Sequence, residues 1–262
     1  MAPTSHLKAV NGQVESKRTE QAVEVRPLQL ACPVTIQRYS DGKLSFKDDQ
    51  IAEEADIRLT VNGRAEALLA RTPGDDLNLV AGYLFSQSRV MCPEDIRSIA
   101  FSYHGPSRVE VDLKTPVAVR RIYPSPRPVH IAPELLFELK GVFERRQSLF
   151  KNTGSTHAAA LFSVEGELIS YGEDVGRHNA FDKAVGRALL EGTLESVTIA
   201  MLSSRLALEL ATKATTANIP VLCGFSAATS SAITFAERND LSLVGRIRDN
   251  SFNVYANGWR FR

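Results

Sequence analysis

Apolar and polar positions follow two different periods along the chain, and the change between them divides it. In the first half the period is short. Val34 to Tyr39 and Asp56 to Val61 read as strands, Asn62-Gly63 turns the second back, and ALLAR returns beside it. Thr72-Pro73-Gly74-Asp75-Asp76 then predicts a helix through Leu79, Val80, Tyr83 and Leu84, with the Thr72 hydroxyl as its cap. RSIAFSY and RVEVDL read as two more strands, followed by the apolar stretch VAVRRI. Three prolines between Tyr123 and Pro128 break regular structure there. From Ala132 to Phe150, Leu135, Leu136, Leu139, Val142 and Phe143 recur at a helical spacing.

The second half alternates more regularly. Strand Ala158 to Ser163 turns at Glu165-Gly166 into Leu168 to Tyr171, and Glu173 to Gly176 reads as a loop. Helix Asn179 to Leu190, strand Val197 to Leu202, helix Arg205 to Ala217, strand Pro220 to Gly224, helix Ala232 to Arg238 and strand Leu241 to Val244 follow, with Phe252 to Tyr255 as an edge strand. Such alternation predicts an α/β sheet with helices on its faces. The expected organisation is a flexible tail over residues 1–24, a smaller strand-rich domain over 25–128, and an α/β domain over 129–262.

Composition narrows the function. The 262 residues are 44% apolar and 23% charged, ordinary for a globular protein with a sizeable core, and the net charge of +1 gives no global attraction to nucleic acid or to an anionic membrane. No stretch has the length of a membrane span, and the N-terminus has no apolar secretory core, so a cytoplasmic location is expected. Cys32, Cys92 and Cys223 are dispersed and odd in number, which fits a reducing compartment and offers neither a disulfide framework nor a CxxC metal site; no bound metal ion is expected.

Candidate chemistry must therefore come from local clusters. Two strand-to-helix turns are small and hydroxyl-rich: Ser203-Ser204-Arg205, and Phe225 to Ser231 with Ser226, Thr229 and Ser230. Free amides at a helix start attract anions, and ligands in open α/β sheets sit beyond the carboxyl ends of the strands. Ordinary helix capping is the alternative reading. Gly245, Arg246, Ile247, Arg248, Asp249 and Asn250 follow the next strand, and Arg246 and Arg248 add positive charge, pointing to a phosphate site. EDVGRHNAFDK is dense in polar side chains at a helix entrance, with His178 and Asp182 four residues apart on one face; Arg177, His178 and Asp182 are expected to line the same pocket. A salt-bridged first turn is the alternative. His157, after the hydroxyl-rich loop Thr153 to Thr156, is a further candidate contact.

TGSTHAAALF, EDVGRHNAFDKAVGRAL, SSRLALELATKATTANIPVLCGFSAATSSAITFAE and LSLVGRIRDNSFNVY together resemble the FdhD family, the formate dehydrogenase accessory sulfurtransferases, as do IRLTVNG and TPGDDLNLVAGYLF. The resemblance spans roughly residues 30–256. It implies a cytidine-deaminase-like C-terminal α/β portion with a strand-rich N-terminal portion, and a cytoplasmic homodimer. It also implies sulfur taken from a cysteine desulfurase and passed to the molybdenum cofactor, bis-molybdopterin guanine dinucleotide, for insertion into formate dehydrogenase. GDP is the expected partial mimic of that cofactor. The family's sulfur-carrying loop is of CGxCG type, whereas the corresponding stretch here reads YPSPRP, without cysteine. Paired-cysteine relay is not carried over. Cys223, ending the strand IPVLCG before the Ser226 turn, is the candidate for any sulfur chemistry, and a non-catalytic cofactor-binding chaperone is the other reading. A zinc deaminase is excluded, since His157 is followed by Ala-Ala and no P-C-x-x-C exists.

Overall fold

The computed structural model describes residues 29–114 and 128–262. The expected tail, the VAVRRI stretch and most of the YPSPRP segment lie outside them. β1 (Ala31–Ser40) and β2 (Lys43–Ala52) form a hairpin in register from Ala31↔Ala52 to Ser40↔Lys43. The sequence analysis missed β2, because KLSFKDDQIA has no continuous apolar face; the turn is set by Asp41 and Gly42, both at positive φ.

A four-stranded sheet follows, ordered β4-β3-β6-β5, with β3 (Ala55–Val61), β4 (Arg64–Arg71), β5 (Ile96–Ser102) and β6 (Arg108–Leu113). Its alternation is that of a sheet covered on one side: Ile57, Leu59, Val109, Val111 and Leu113 are buried and their neighbours are not. Helix α1 (Asp76–Ser86) joins this sheet to the rest. Its expected hydroxyl cap is a correction: the N-cap is Asp75 in a left-handed conformation, and the Thr72 hydroxyl accepts a hydrogen bond from the Val175 amide at 3.1 Å instead.

The second half builds a six-stranded sheet ordered β12-β11-β10-β9-β7-β8. Its strands are β7 (His157–Phe162), β8 (Leu168–Asp174), β9 (Ile199–Leu202), β10 (Val221–Gly224), β11 (Ser242–Gly245) and β12 (Asn253–Ala256). β9, β10 and β11 run parallel, while β7, β8 and β12 pair antiparallel. Side chains alternate across the sheet. Ala159, Leu161, Ala200, Leu202, Leu222 and Leu243 pack with helices α4 (Arg177–Leu190), α5 (Leu208–Thr216) and α6 (Ser230–Arg238) on one face. Ala158, Ala160, Phe162, Ile199, Met201, Val221, Cys223 and Val244 pack with α2 (Leu135–Arg146) on the other. The long predicted helix from Ala132 to Phe150 is thus two, α2 and the short α3 (Ser148–Thr153), broken at Gln147. The fold is mixed α/β, as expected.

α1 crosses α4 at two facing glycines. A Cβ on Gly82 would sit 1.9 Å from the Asp182 carbonyl oxygen, and one on Gly186 would sit 1.9 Å from that of Asn78. Only backbone without side chains permits this approach. Residues of both sheets and of α1, α4 and α5 share one buried cluster.

Candidate functional site

The parallel strands β9, β10 and β11 all end at the same edge of the sheet. Because β7 is antiparallel to β9, its first residue, His157, arrives at that edge too, and so does Asp174 at the end of β8, directly opposite His157. His157, Ser203 and Phe225 there line a cavity of about 450 Å³, completed by Glu144, Gln147, Phe150, Gly154, Ser155 and Thr156. That volume lies within the range of small-molecule sites, about 300–1,000 Å³. A cleft of about 670 Å³ beside the β1–β2 hairpin carries Asp48 and Asp49, whose charges disfavour an anion.

His157 is half-buried, its Nδ1 lies 3.2 Å from Ser203 Oγ, and the same hydroxyl accepts the Ala158 amide at 3.0 Å. Burial, aided by the nearby Arg177 cation, pushes the His157 pKa below the usual histidine value, so a neutral ring is favoured. The Arg177 Nε is buried and has no hydrogen-bond partner. Arg177 opens α4 after Gly176, an N-cap residue with no side chain to offer the first amides. His157 and Ser203 therefore share the cavity wall, with Arg177 near enough for its charge to act on His157.

The rest of the EDVGRHN segment is occupied elsewhere. Glu173 accepts from the Phe150 amide at 2.7 Å and the Thr156 hydroxyl at 2.9 Å, so its carboxylate caps α3 and fixes the loop that walls the cavity. Asp174 is fully buried in an ion pair with Lys183 at 2.7 Å and accepts the amides of Thr72 and Gly176. Asn179 bridges Asp174 and the Ala70 carbonyl, and Lys183 reaches the Thr72 carbonyl at 3.0 Å. The motif thus stitches β8 and α4 to the end of β4. Asp182 is buried, paired with Lys213 and accepting the Ser86 hydroxyl. His178 turns toward α5, with Nε2 3.1 Å from Glu209, and burial followed by the Lys213 charge lowers its pKa. Neither lines the cavity at His157. Gly176 has φ −93°, not positive; a Cβ there would instead crowd the Asn179 amide at 2.9 Å.

Both hydroxyl-rich turns are present, with modified roles. Helix α5 starts at Leu208, so Ser203-Ser204-Arg205 precedes it by a short bridge in which Leu206 pairs with Ala228. The Ser204 hydroxyl donates to the Arg205 carbonyl, and Arg205 is exposed. Thr229 caps α6 through the Ala232 amide, with Ser230 exposed at the first helical position. Gly245 packs against the Ser226 carbonyl, which a Cβ would approach to 2.5 Å, and Arg246 follows at φ 54° with its amide bonded to that same carbonyl. Arg246 is exposed; the Arg248 guanidinium donates to the carbonyls of Phe225 and Ile247. The Ile247 side chain is core, Asp249 pairs with Lys140, and Asn250 is exposed. Cys223 is fully buried and burial pushes its thiol well above the usual range, the wrong direction for a nucleophile. Among the described residues no cluster of three His, Cys, Asp or Glu is placed to hold a metal ion.

The sequence analysis did not single out Glu144, Gln147, Phe225 or Thr156. On a helix, Glu144 and Gln147 are only two more polar positions; what makes them cavity residues is the break at Gln147 and the return of the chain past Ser155.

Taken together, these features define an α/β protein with a ligand-type cavity at the carboxyl ends of its parallel strands. The profile of the FdhD/NarQ family matches residues 52–122 and 105–262, and the chain belongs to that family. It is 37% identical over 257 residues to the sulfur carrier protein FdhD of Streptomyces avermitilis, covering 84% of this chain and 91% of that one. It is 37% identical over 234 residues to the protein of the same name from Sulfurisphaera tokodaii, covering 80% and 91%. The crystal structure of a protein assigned as a formate dehydrogenase accessory protein, from Desulfotalea psychrophila, superposes with a TM-score of 0.76 at 24% identity, over 89% of this chain and all of that one. No helix among the described residues is long and apolar enough to cross a membrane.

Proposed function

We propose that the chain is a cytoplasmic accessory protein, acting as a homodimer, that binds molybdenum cofactor for formate dehydrogenase at the carboxyl edge of β9, β10 and β11. The carrying observation is the meeting of His157, Ser203 and Phe225 on one ligand-sized cavity, with the Arg177 charge near His157 and the Arg248 guanidinium donating to the Phe225 carbonyl. The cofactor here is cargo. Its pyrophosphates suit the uncapped start of α4 with the unpaired Arg177 Nε, and the close Gly245–Ser226 approach leaves the backbone bare where Arg246 follows. Arg246 and Arg248 would hold phosphate charge from the next strand end.

A second reading concerns sulfur. The relatives are named sulfur carriers, yet Cys223 is sealed under α2, and Cys92 lines a different cavity with Leu189 and Gly192. That cavity lies at the far end of the 14-residue α4, about 20 Å from its start. This favours a chaperone that delivers cofactor without accepting sulfur from a cysteine desulfurase. The test of binding is calorimetric titration with GDP. Arg246→Ala and Arg248→Ala should each weaken GDP by about 1.5–3 kcal/mol, the range for hydrogen bonds to charged groups. No heat with GDP at high micromolar protein, or unchanged affinity in both variants, would refute this placement.

A further inference from the structure

Helices α1, α4 and α5 end at one place, and a groove of about 280 Å³ opens there, lined by Phe85 of α1, Leu189 of α4 and Ala217 just past α5. All three helices stop in the same way. A residue at positive φ follows each, Ser88, Gly192 and Asn218, and the next amide reaches back five residues: Arg89 to Leu84, Thr193 to Ala188, Ile219 to Ala214. This closure pairs only part of the carbonyl set at a helix end, and each end keeps a negative charge of about half an electron. Helices commonly meet that charge with lysine or arginine in the last turn. Here α1 has none, Arg187 of α4 is ion-paired with Asp75, and Lys213 of α5 with Asp182. Carboxylates add to the field. Glu195 lines the groove, and Glu94 and Asp95 follow Pro93 in its wall. Burial, then these two carboxylates, push the Cys92 thiol in that wall above its usual pKa. Of the cations nearby, Arg89 is held by Glu66, while Arg97 and Lys114 are exposed at the adjoining strand ends.

The floor of the groove is apolar. Phe85, Leu189 and Ala217 are buried, and Met91 stands at the rim 41% exposed. The volume falls below the range of small-molecule sites, about 300–1,000 Å³, and suits one or two side chains. We propose that this groove docks a basic segment of a partner protein. One or two aliphatic side chains seat against Phe85, Leu189 and Met91, and flanking arginines or lysines meet Glu195 and the three helix ends. A second copy of this chain fits less well, because a two-fold contact here would set the same negative helix ends and Glu195 against themselves. The proposal is independent of the cofactor reading, since the groove lies about 20 Å from the start of α4.

The experiment is fluorescence anisotropy of the full chain with a labelled probe peptide that carries two leucines between pairs of arginines. Its counterparts replace arginine by glutamate or leucine by serine. The arginine–leucine peptide should bind, and more weakly as salt is raised, because the charges are exposed; the other two should not. Glu195→Gln and Glu94→Gln should each weaken it about two- to fivefold, the size of one exposed charge interaction. Met91→Lys should abolish binding. The parent chain also carries its own reporters, so the result does not depend on any variant folding well. Cys92 lines the groove, whereas Cys32 lies in β1. Saturating peptide should slow alkylation of Cys92 by N-ethylmaleimide and leave Cys32 unchanged, as read by peptide mass spectrometry. No binding of the arginine–leucine peptide, equal binding of either counterpart, or alkylation of Cys92 that ignores bound peptide would overturn the proposal. A dimer in sedimentation that Met91→Lys splits would also overturn it, by making a second copy the occupant. Docking of the peptide by a chain that takes no GDP would overturn the cofactor reading alone.

Discussion

The sharpest test of the architecture is Gly186→Ala. The added Cβ would lie 1.9 Å from the Asn78 carbonyl oxygen and 2.6 Å from the Gly82 amide nitrogen, where ordinary contact begins near 3.4 Å. Both obstacles are helix backbone, so neither can swing aside, and α1 must retreat from α4 by about 1.5 Å. A gap of even 0.5–1 Å forfeits about a quarter to a half of the dispersion between facing atoms. Here the facing atoms include Val80, Leu84, Phe181 and Val185, all buried without exposure. Overpacking of a tight core costs about 1–3 kcal/mol and occasionally more. Immobile obstacles place this case at the top, so about 2 kcal/mol remains after the gain of about 1 kcal/mol from replacing helical glycine with alanine. For a chain of this size that is a fall in Tm of roughly 4–8 °C. The control is Gly141→Ala on α2, where a Cβ meets only the flexible Arg145 guanidinium at 3.3 Å. It should gain about 0.5–1 kcal/mol in the same thermal scan. A Gly186→Ala protein melting at or above the parent would refute the crossing argument.

Further outcomes follow from the buried charges and the cysteines. Lys183→Met leaves Asp174 charged and fully buried and should cost about 3–5 kcal/mol by urea denaturation; adding Asp174→Asn should recover part of it, and a strictly additive double variant would contradict the pairing. His157 and His178 both have folded pKa values below the usual histidine value, so the unfolded chain binds more protons as pH falls through about 6.5. Their contribution is fully present above that pH, is lost as pH falls toward the lowered folded values, and is constant below them; His157→Gln should flatten this slope, and an unchanged slope would count against it. Incubation with a cysteine desulfurase and cysteine should leave Cys223 without added sulfur by peptide mass spectrometry, because its thiol is sealed. A persulfide found there would require that α2 lift.

Much of the order of elements was legible because two periods carry it: the strand-helix alternation after Ala158 and the Asn62-Gly63 hairpin are local signals. Strand β2 was not, because both its faces are wet over most of its length and nothing in KLSFKDDQIA marks a side. In the candidate site, His157 and Ser203 were individually visible, but their meeting depends on β7 running against β9, which no local pattern encodes. Asp182 looked like a ligand group because polar residues at a helix entrance do; only the tertiary partner Lys213 shows where its charge is spent. Gln147 was hidden because its place on the cavity wall depends on the break between α2 and α3.

The employment of Glu173, Asp174 and Asn179 within the scaffold bears on how descendants of such a protein would change. These side chains hold α3, α4 and the end of β4 in place whatever occupies the cavity, so their loss endangers folding itself. A lineage that ceased to handle cofactor would go on carrying EDVGRHN largely intact, and its persistence would record architecture rather than use. Arg246, exposed at the turn after β11, is the kind of position where relaxed selection would first leave its trace.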